Sequence, residues 1–293
     1  MSADKLEVLL DRAERLLARI EPLLPAPAPE PEWDTSIAFR WQRQGNRGIL
    51  KPVRHPPRLR LAELHHIDRQ KALIDQNTRQ FLAGLPANNC LLWGSRGTGK
   101  SSLVKALLNE YADQGLRVIE VDKDDLRDLP EIIDLIYDRP ERFILFSDDL
   151  SFEAGDPSYK SLKAALDGSL NAPADKLLIY ATSNRRHLLP EYMAENEQAR
   201  NVGGEIHQGE AVEEKISLSE RFGLWISFYP FDQEAYLDIV FGWLQELGIT
   251  PDDPDAVRAE ALRFALGRGS RSGRVAWQFA RDYAGRQNLQ GKV

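Results

Sequence analysis

Residues 90–101 read CLLWGSRGTGKS, and the fold turns on them. Gly94 to Ser101 match G-x-x-x-x-G-K-[ST] at every fixed position, directly after a short apolar run and ahead of a helical pattern. The residue types suit one task. Gly94, Gly97 and Gly99 let the loop take positive φ angles and bring its amides close to a ligand. A helix starting here offers free N–H groups and a dipole to anionic oxygens. Gly94, Ser95, Arg96, Gly97, Thr98, Gly99, Lys100, Ser101 and Ser102 are therefore the expected phosphate cradle. Lys100 supplies a positive charge to the β- and γ-phosphates of ATP, and Ser101 a hydroxyl to Mg²⁺.

A P-loop needs a second strand ending in a metal-binding acid. FILFSDD, residues 143–149, fits. Asp148 is the expected Mg²⁺ holder, and Asp149 the group that orients the attacking water or accepts its proton. The strand LLIYATS (177–183) runs into Asn184, whose amide is placed to bond the γ-phosphate or position the same water. LSERFGLW carries Arg221 in a tight turn, a candidate for reaching the γ-phosphate of a neighbouring subunit. GRGSRSGRVAWQF carries Arg274 near the start of a C-terminal helix, aimed back at the phosphates, with Arg271 as the competing candidate.

Five short apolar strands, at 90–93, 117–121, 143–147, 177–183 and 224–230, alternate with helices expected over 68–83, 99–114, 125–137 and 159–170. That alternation predicts an α/β fold: a three-layer αβα sandwich around a five-stranded parallel sheet. From Asp232 onward the pattern turns to amphipathic helices alone, a small helical lid. Residues 2–20 read as an amphipathic helix, tethered by a run with prolines at 22, 25, 27, 29 and 31. The expected division is 1–24, N-terminal helix; 25–62, Pro-rich and basic linker or arm; 63–231, α/β nucleotide-binding domain; and 232–293, helical lid. The polar stretch 190–216 is long for a plain connection.

Composition narrows the surroundings. The net charge of −7 argues against a protein coated in positive charge, yet no acid occurs between Asp34 and Glu63 while Arg40, Arg43, Arg47, Lys51, Arg54, Arg58 and Arg60 do. With Trp33, Phe39 and Trp41 nearby, this segment is a candidate nucleic-acid contact; the plainer alternative is that its arginines are solvated or pair with the acidic middle of the chain. The single cysteine, Cys90, rules out an internal disulfide framework and suits a reducing cytoplasm. The charged N-terminus is not a signal peptide, and no apolar run approaches the roughly 18–20 residues that insert into a membrane.

GSRGTGKS, FILFSDD, YATSN, SERFG and SGR stand in the order and spacing of the Walker A, Walker B, sensor 1, arginine-finger and sensor 2 motifs of AAA+ ATPases, which residues 60–290 resemble. More narrowly, the chain resembles a bacterial AAA+ family known mainly as ATP-binding proteins of unknown function. The resemblance implies ATP and Mg²⁺ as cofactors, a homo-oligomer using Arg221 between subunits, and a macromolecular partner. It also implies that Ile67, in the leader segment, lies by the adenine. The Asp-Asp pair departs from the usual Asp-Glu and is shared with the replication-initiator and helicase-loader clade, which points to slow turnover.

Overall fold

The computed structural model describes residues 31–45, 47–152, 157–166, 175–186, 188, 200–202, 205–207 and 218–290, with isolated positions 12, 14 and 15. Apart from those three positions, the helix expected over 2–20 lies outside the described residues, as do the proline run up to residue 30 and most of the 190–216 stretch.

The strands are β1 (Ala38–Gln44), β2 (Arg47–Pro52), β3 (Cys90–Gly94), β4 (Leu116–Glu120), β5 (Arg142–Ser147), β6 (Leu177–Ser183), β7 (Arg200–Val202), β8 (Glu205–His207) and β9 (Leu224–Phe228). Seven of them form one sheet in the order β2-β1-β4-β5-β6-β3-β9, and β7 and β8 pair separately. Every neighbouring pair in the large sheet is parallel except β1 with β2. The helices are α1 (Asp68–Leu82), α2 (Lys100–Tyr111), α3 (Leu129–Ile136), α4 (Pro157–Leu166), α5 (Gln233–Glu246), α6 (Pro254–Arg268) and α7 (Gly273–Gln290).

Alternation along the strands divides the core. On β5, Ile144 and Phe146 face one layer with Ile74 and Phe81 of α1 and Leu103 and Leu107 of α2. Phe143 and Leu145 face the other, with Ile132 and Ile136 of α3 and Tyr159 and Leu162 of α4. This is the period-2 packing of a sheet covered on both faces. The first layer runs on into the lid, where Tyr236, Leu237, Val240, Ala261 and Phe279 are fully or almost fully buried. Asp232 and Asp253 cap α5 and α6, accepting from Ala235 N at 2.8 Å and Ala256 N at 3.0 Å.

The sheet has seven strands, where the apolar runs predicted five, because residues 38–52 are not a linker or arm. They form a hairpin whose first strand pairs parallel with β4. Phe39 and Trp41 are buried among the second layer, and Trp33 packs edge-on against Phe39 and Phe143. These aromatics are wall, not a platform for bases. Two of the hairpin's arginines, Arg40 and Arg43, also find partners. Arg40 pairs with Glu120 at 2.8 Å, and Asp128 takes hydrogen bonds from Trp41 Nε1 at 3.0 Å and Arg43 at 3.1 Å.

Trp41 lies flat over Gly48 of the paired strand, where a Cβ would stand 1.7 Å from the indole ring. Gly48→Ala therefore has to displace Trp41 and its bond to Asp128. The expected cost is about 1–3 kcal/mol, read as a lower urea midpoint at unchanged slope.

Candidate functional site

The C-terminal ends of β3, β5 and β6 stop side by side. Trp93 pairs with Ser183, and Ser147 with Ala181, so the residues that follow each strand share one edge. Gly94 turns the chain there at φ 126°. Any side chain at that position would collide with Phe228 of β9, whose carbonyl lies 1.9 Å from a Cβ built on it. Ser95 N donates to that same carbonyl at 3.1 Å. The loop then wraps to Gly99 (φ 101°), and α2 begins at Lys100.

Lys100 is 7% exposed. Its Nζ donates to Gly94 O and Ser95 O, both at 2.7 Å, and to Asn184 Oδ1 at 3.3 Å. Burial pulls its ammonium below the ordinary lysine range, while Asp149 and Asp148 oppose that pull. Ser101 Oγ donates to Asp148 Oδ1 at 2.5 Å. Asp149 follows in the left-handed region, φ 54°; its carboxylate accepts from Asn184 Nδ2 and stands 3.7 Å from Arg96.

These groups line one cavity of about 690 Å³. Ile67, Arg96, Gly97, Thr98, Gly99, Lys100, Ser101, Ser102, Asp148, Asp149, Asn184 and Arg274 all border it. Gly94 and Ser95 do not border it and form the turn beneath. Ile67 is buried, and its Cδ1 lies 3.4 Å from where a Cβ on Gly99 would be, which joins the leader to the loop. Arg274 N bonds Gly97 O at 3.3 Å, seating the start of α7 on the loop; Arg271 is not among the lining residues. Arg221 is half-buried away from this cavity, its N–H bonded to Leu218 O at 3.2 Å.

Of the lining side chains that escaped the sequence reading, three bear most on the site. Thr182 Oγ1 donates to Asp148 Oδ1 at 2.5 Å and accepts from Asp149 N at 2.9 Å, so one hydroxyl sets both aspartates. Its place near the end of β6, two residues before Asn184, was the available signal. Trp243 of α5 and Trp277 of α7 border the cavity from the lid with ring centroids 4.6 Å apart. At helical spacing they read as lid core.

Magnesium fits this donor set. Ser101 and Asp148 present hard oxygens at the mouth of the phosphate loop, and Mg²⁺ takes few protein ligands, its shell being completed by waters and phosphate. Among the described residues no cluster of three or more His, Cys, Asp or Glu side chains offers a fuller cage.

The architecture is that of the AAA+ P-loop NTPase fold. Within that class the chain belongs to the family described as "Protein of unknown function (DUF815)", whose profile matches residues 34–287. Among solved structures it is similar to the Thermotoga maritima RuvB Holliday junction branch migration motor, at 15% identity and TM-score 0.50, over 77% of this chain and 64% of that one. It is also similar to the Aeropyrum pernix ORC1 protein in complex with DNA, at 15% identity and TM-score 0.53, over 77% of this chain and 61% of that one. The chain thus spans less than two thirds of either, and at this identity the likeness is one of fold. No curated protein matches the sequence. Among the described residues no helix is long and apolar enough to cross a membrane.

Thr182→Val keeps the shape of the side chain and removes the hydroxyl. It is expected to raise the Mg²⁺ concentration needed for nucleotide binding by about 10- to 100-fold, the usual effect of losing a group that orients a metal ligand. A Mg²⁺ titration with a fluorescent ATP analogue reads this directly, with circular dichroism to confirm the fold.

Proposed function

We propose that the chain binds ATP with Mg²⁺ and hydrolyses it slowly, using the cycle as a conformational switch that remodels a macromolecular partner. The observation that carries this is the convergence of Lys100, Ser101, Asp148, Asp149, Asn184 and Arg274, from four separate elements and the loops after them, on one cleft. In this reading, phosphate oxygens replace the carbonyls that Lys100 now holds. The amides of the loop and the first turn of α2 cradle the β- and γ-phosphates. Ser101 and Asp148 would hold Mg²⁺, which would supply positive charge to offset that of the phosphates.

Asp149 and Asn184 align a water with the γ-phosphorus. The water's oxygen forms the new P–O bond, the bond to the β-bridging oxygen breaks, ADP leaves with that electron pair, and the water's proton passes to Asp149. Slow turnover follows from the shortness of Asp149 and from the Asn184 amide and Arg96 guanidinium already facing its carboxylate. Arg274 carries the state of the phosphates into the lid through its seat on Gly97.

Arg221 lies outside its own cleft, and we assign it to a neighbour's γ-phosphate in a homo-oligomer. A reducing cytoplasm is the proposed setting, in keeping with the one cysteine, Cys90, buried in β3 with its thiol pushed up by burial. A second reading, a DNA-associated initiator- or loader-like ATPase, is favoured by exposed cations between residues 51 and 58. An ATP-binding scaffold with little hydrolysis is the reading that remains if Asp149 proves ineffective.

Phosphate release and ATP binding, measured together, separate these. Lys100→Ala should lose ATP binding. Asp149→Asn should keep binding and lose hydrolysis by about 100-fold or more. Arg221→Ala should lower turnover by about 1,000-fold or more, and mixing it with Lys100→Ala subunits should restore part of the activity. Absence of Mg²⁺-dependent ATP binding by the unaltered chain would sink the proposal, and binding without hydrolysis would leave the scaffold.

A further inference from the structure

The basic stretch between Arg40 and Arg60 is not one surface. Arg40, Arg43 and Arg60 are taken up by Glu120, Asp128 and Glu63 at 2.8, 3.1 and 2.8 Å. A shorter run is left, KPVRHPPR, in which Lys51, Arg54, His55 and Arg58 are exposed. Among the described residues, Lys51, Arg54 and Arg58 have no ion pair or hydrogen-bond partner for their charged ends.

This run is a fixed strut. Pro52, Pro56 and Pro57 restrict its backbone and that of the residues before them. Its start is held where Val53 N bonds Ala38 O at 2.8 Å and Ser36 Oγ bonds Val53 O at 2.7 Å. Its end is held by Asn109 of α2, whose amide donates to Pro57 O at 2.6 Å and Leu59 O at 2.7 Å. The helix that carries Asn109 begins at Lys100 of the phosphate loop. Three cations are thus presented on a preordered backbone, so little ordering cost remains when they meet a partner.

We propose that Lys51, Arg54 and Arg58 form a contact for the phosphate backbone of double-stranded nucleic acid, an inference that rests on the DNA-associated reading above. The chain bends at Arg54 and His55, so the steps of three and four residues set the charges no more than roughly 9–12 Å apart, the reach of extended chain at about 3 Å per residue. A duplex strand places one phosphate every 3.4 Å or so along the axis, and each step passes at most about three of them. The contact reads charge spacing and not sequence. Duplex is preferred over single strand because the aromatics that stacking on unpaired bases would need, Phe39 and Trp41, are buried, and Trp33 is packed against Phe39 and Phe143.

The test is fluorescence anisotropy with a labelled 30-base-pair duplex of arbitrary sequence, the full chain, ATP and Mg²⁺, across a salt series. The triple variant Lys51→Gln, Arg54→Gln, Arg58→Gln should bind at least tenfold more weakly, and the slope of log affinity against log salt should fall by about 2–3. Arg54→Lys with Arg58→Lys should retain binding, because point charges suffice. Arg258→Gln, on the lid and paired with Glu234, should change nothing. The triple variant should hydrolyse ATP like the unaltered chain, since none of the three residues borders the cleft. The proposal is overturned if the unaltered chain does not bind duplex, if the triple variant binds equally well, or if the chain takes single strands or polyglutamate in preference to duplex. Hydrolysis without duplex binding removes this inference alone; duplex binding without hydrolysis removes the ATPase reading alone.

Discussion

One carboxylate oxygen ties the site together. Asp148 Oδ1 accepts from Ser101 of α2 and from Thr182 of β6, both at 2.5 Å, while its own residue directly follows β5. Three elements remote in sequence are fixed to one point, and the bonds are charge-assisted, stronger than neutral ones. They form only if β5 and β6 end in the observed register; a slip of one residue would turn Thr182 to the opposite face. They also need α2 to begin where it does. That start is set by the close passage of Gly94 beneath Phe228, where even one methyl group would not fit. The geometry of the cleft is thus a consequence of how strands β9, β3, β6 and β5 pack.

The hairpin at the far edge serves the same sheet from the other end. Its inward residues, Phe39 and Trp41, close the layer that holds α3 and α4, and Asp128 satisfies the indole N–H that burial would otherwise strand. Asp128 is nearly buried and is itself compensated by Arg43 at 3.1 Å. The cations left over, from Lys51 to Arg58, stand on the strut that crosses to α2. Neutralisation inside the hairpin and exposure just beyond it divide a uniformly basic sequence into wall and surface.

What the sequence made legible follows the range of the physics involved. The phosphate loop was readable because its glycines, lysine and serine act through local backbone geometry and fixed chemistry. The strands β3, β4, β5, β6 and β9 were readable because strands buried on both faces are continuous apolar runs, while their order in the sheet was not. The hairpin was not. In "AFRWQRQ" only Ala38, Phe39 and Trp41 are buried, and the other four residues are arginine and glutamine, so the pattern resembles a basic coil until β4 is placed beside it. Thr182 was hidden by its own strand propensity: a threonine among apolar residues reads as a β-former, and its bond to Asp148 depends on a pairing across thirty-four residues. Trp243 and Trp277 carry the same ambiguity, since an amphipathic stripe marks a buried face without saying whether that face meets core or cleft.

The second aspartate shows how backbone geometry can select the side chain proposed to act on the water. Asp149 adopts φ 54° in the turn after β5, where its N–H reaches Thr182 Oγ1 at 2.9 Å and Leu150 N reaches Thr182 O at 2.7 Å. Left-handed backbone is tolerated far better by aspartate than by longer acids, because its short polar side chain can bond locally. Here the carboxylate accepts from a group remote in sequence, Asn184 Nδ2. A glutamate would gain reach toward a phosphate but give up part of that tolerance. The short acid is therefore the residue that the turn itself favours, and reduced reach is the accompanying cost. The feature that argues for slow chemistry and the feature that locks the two aspartates onto Thr182 are one and the same turn.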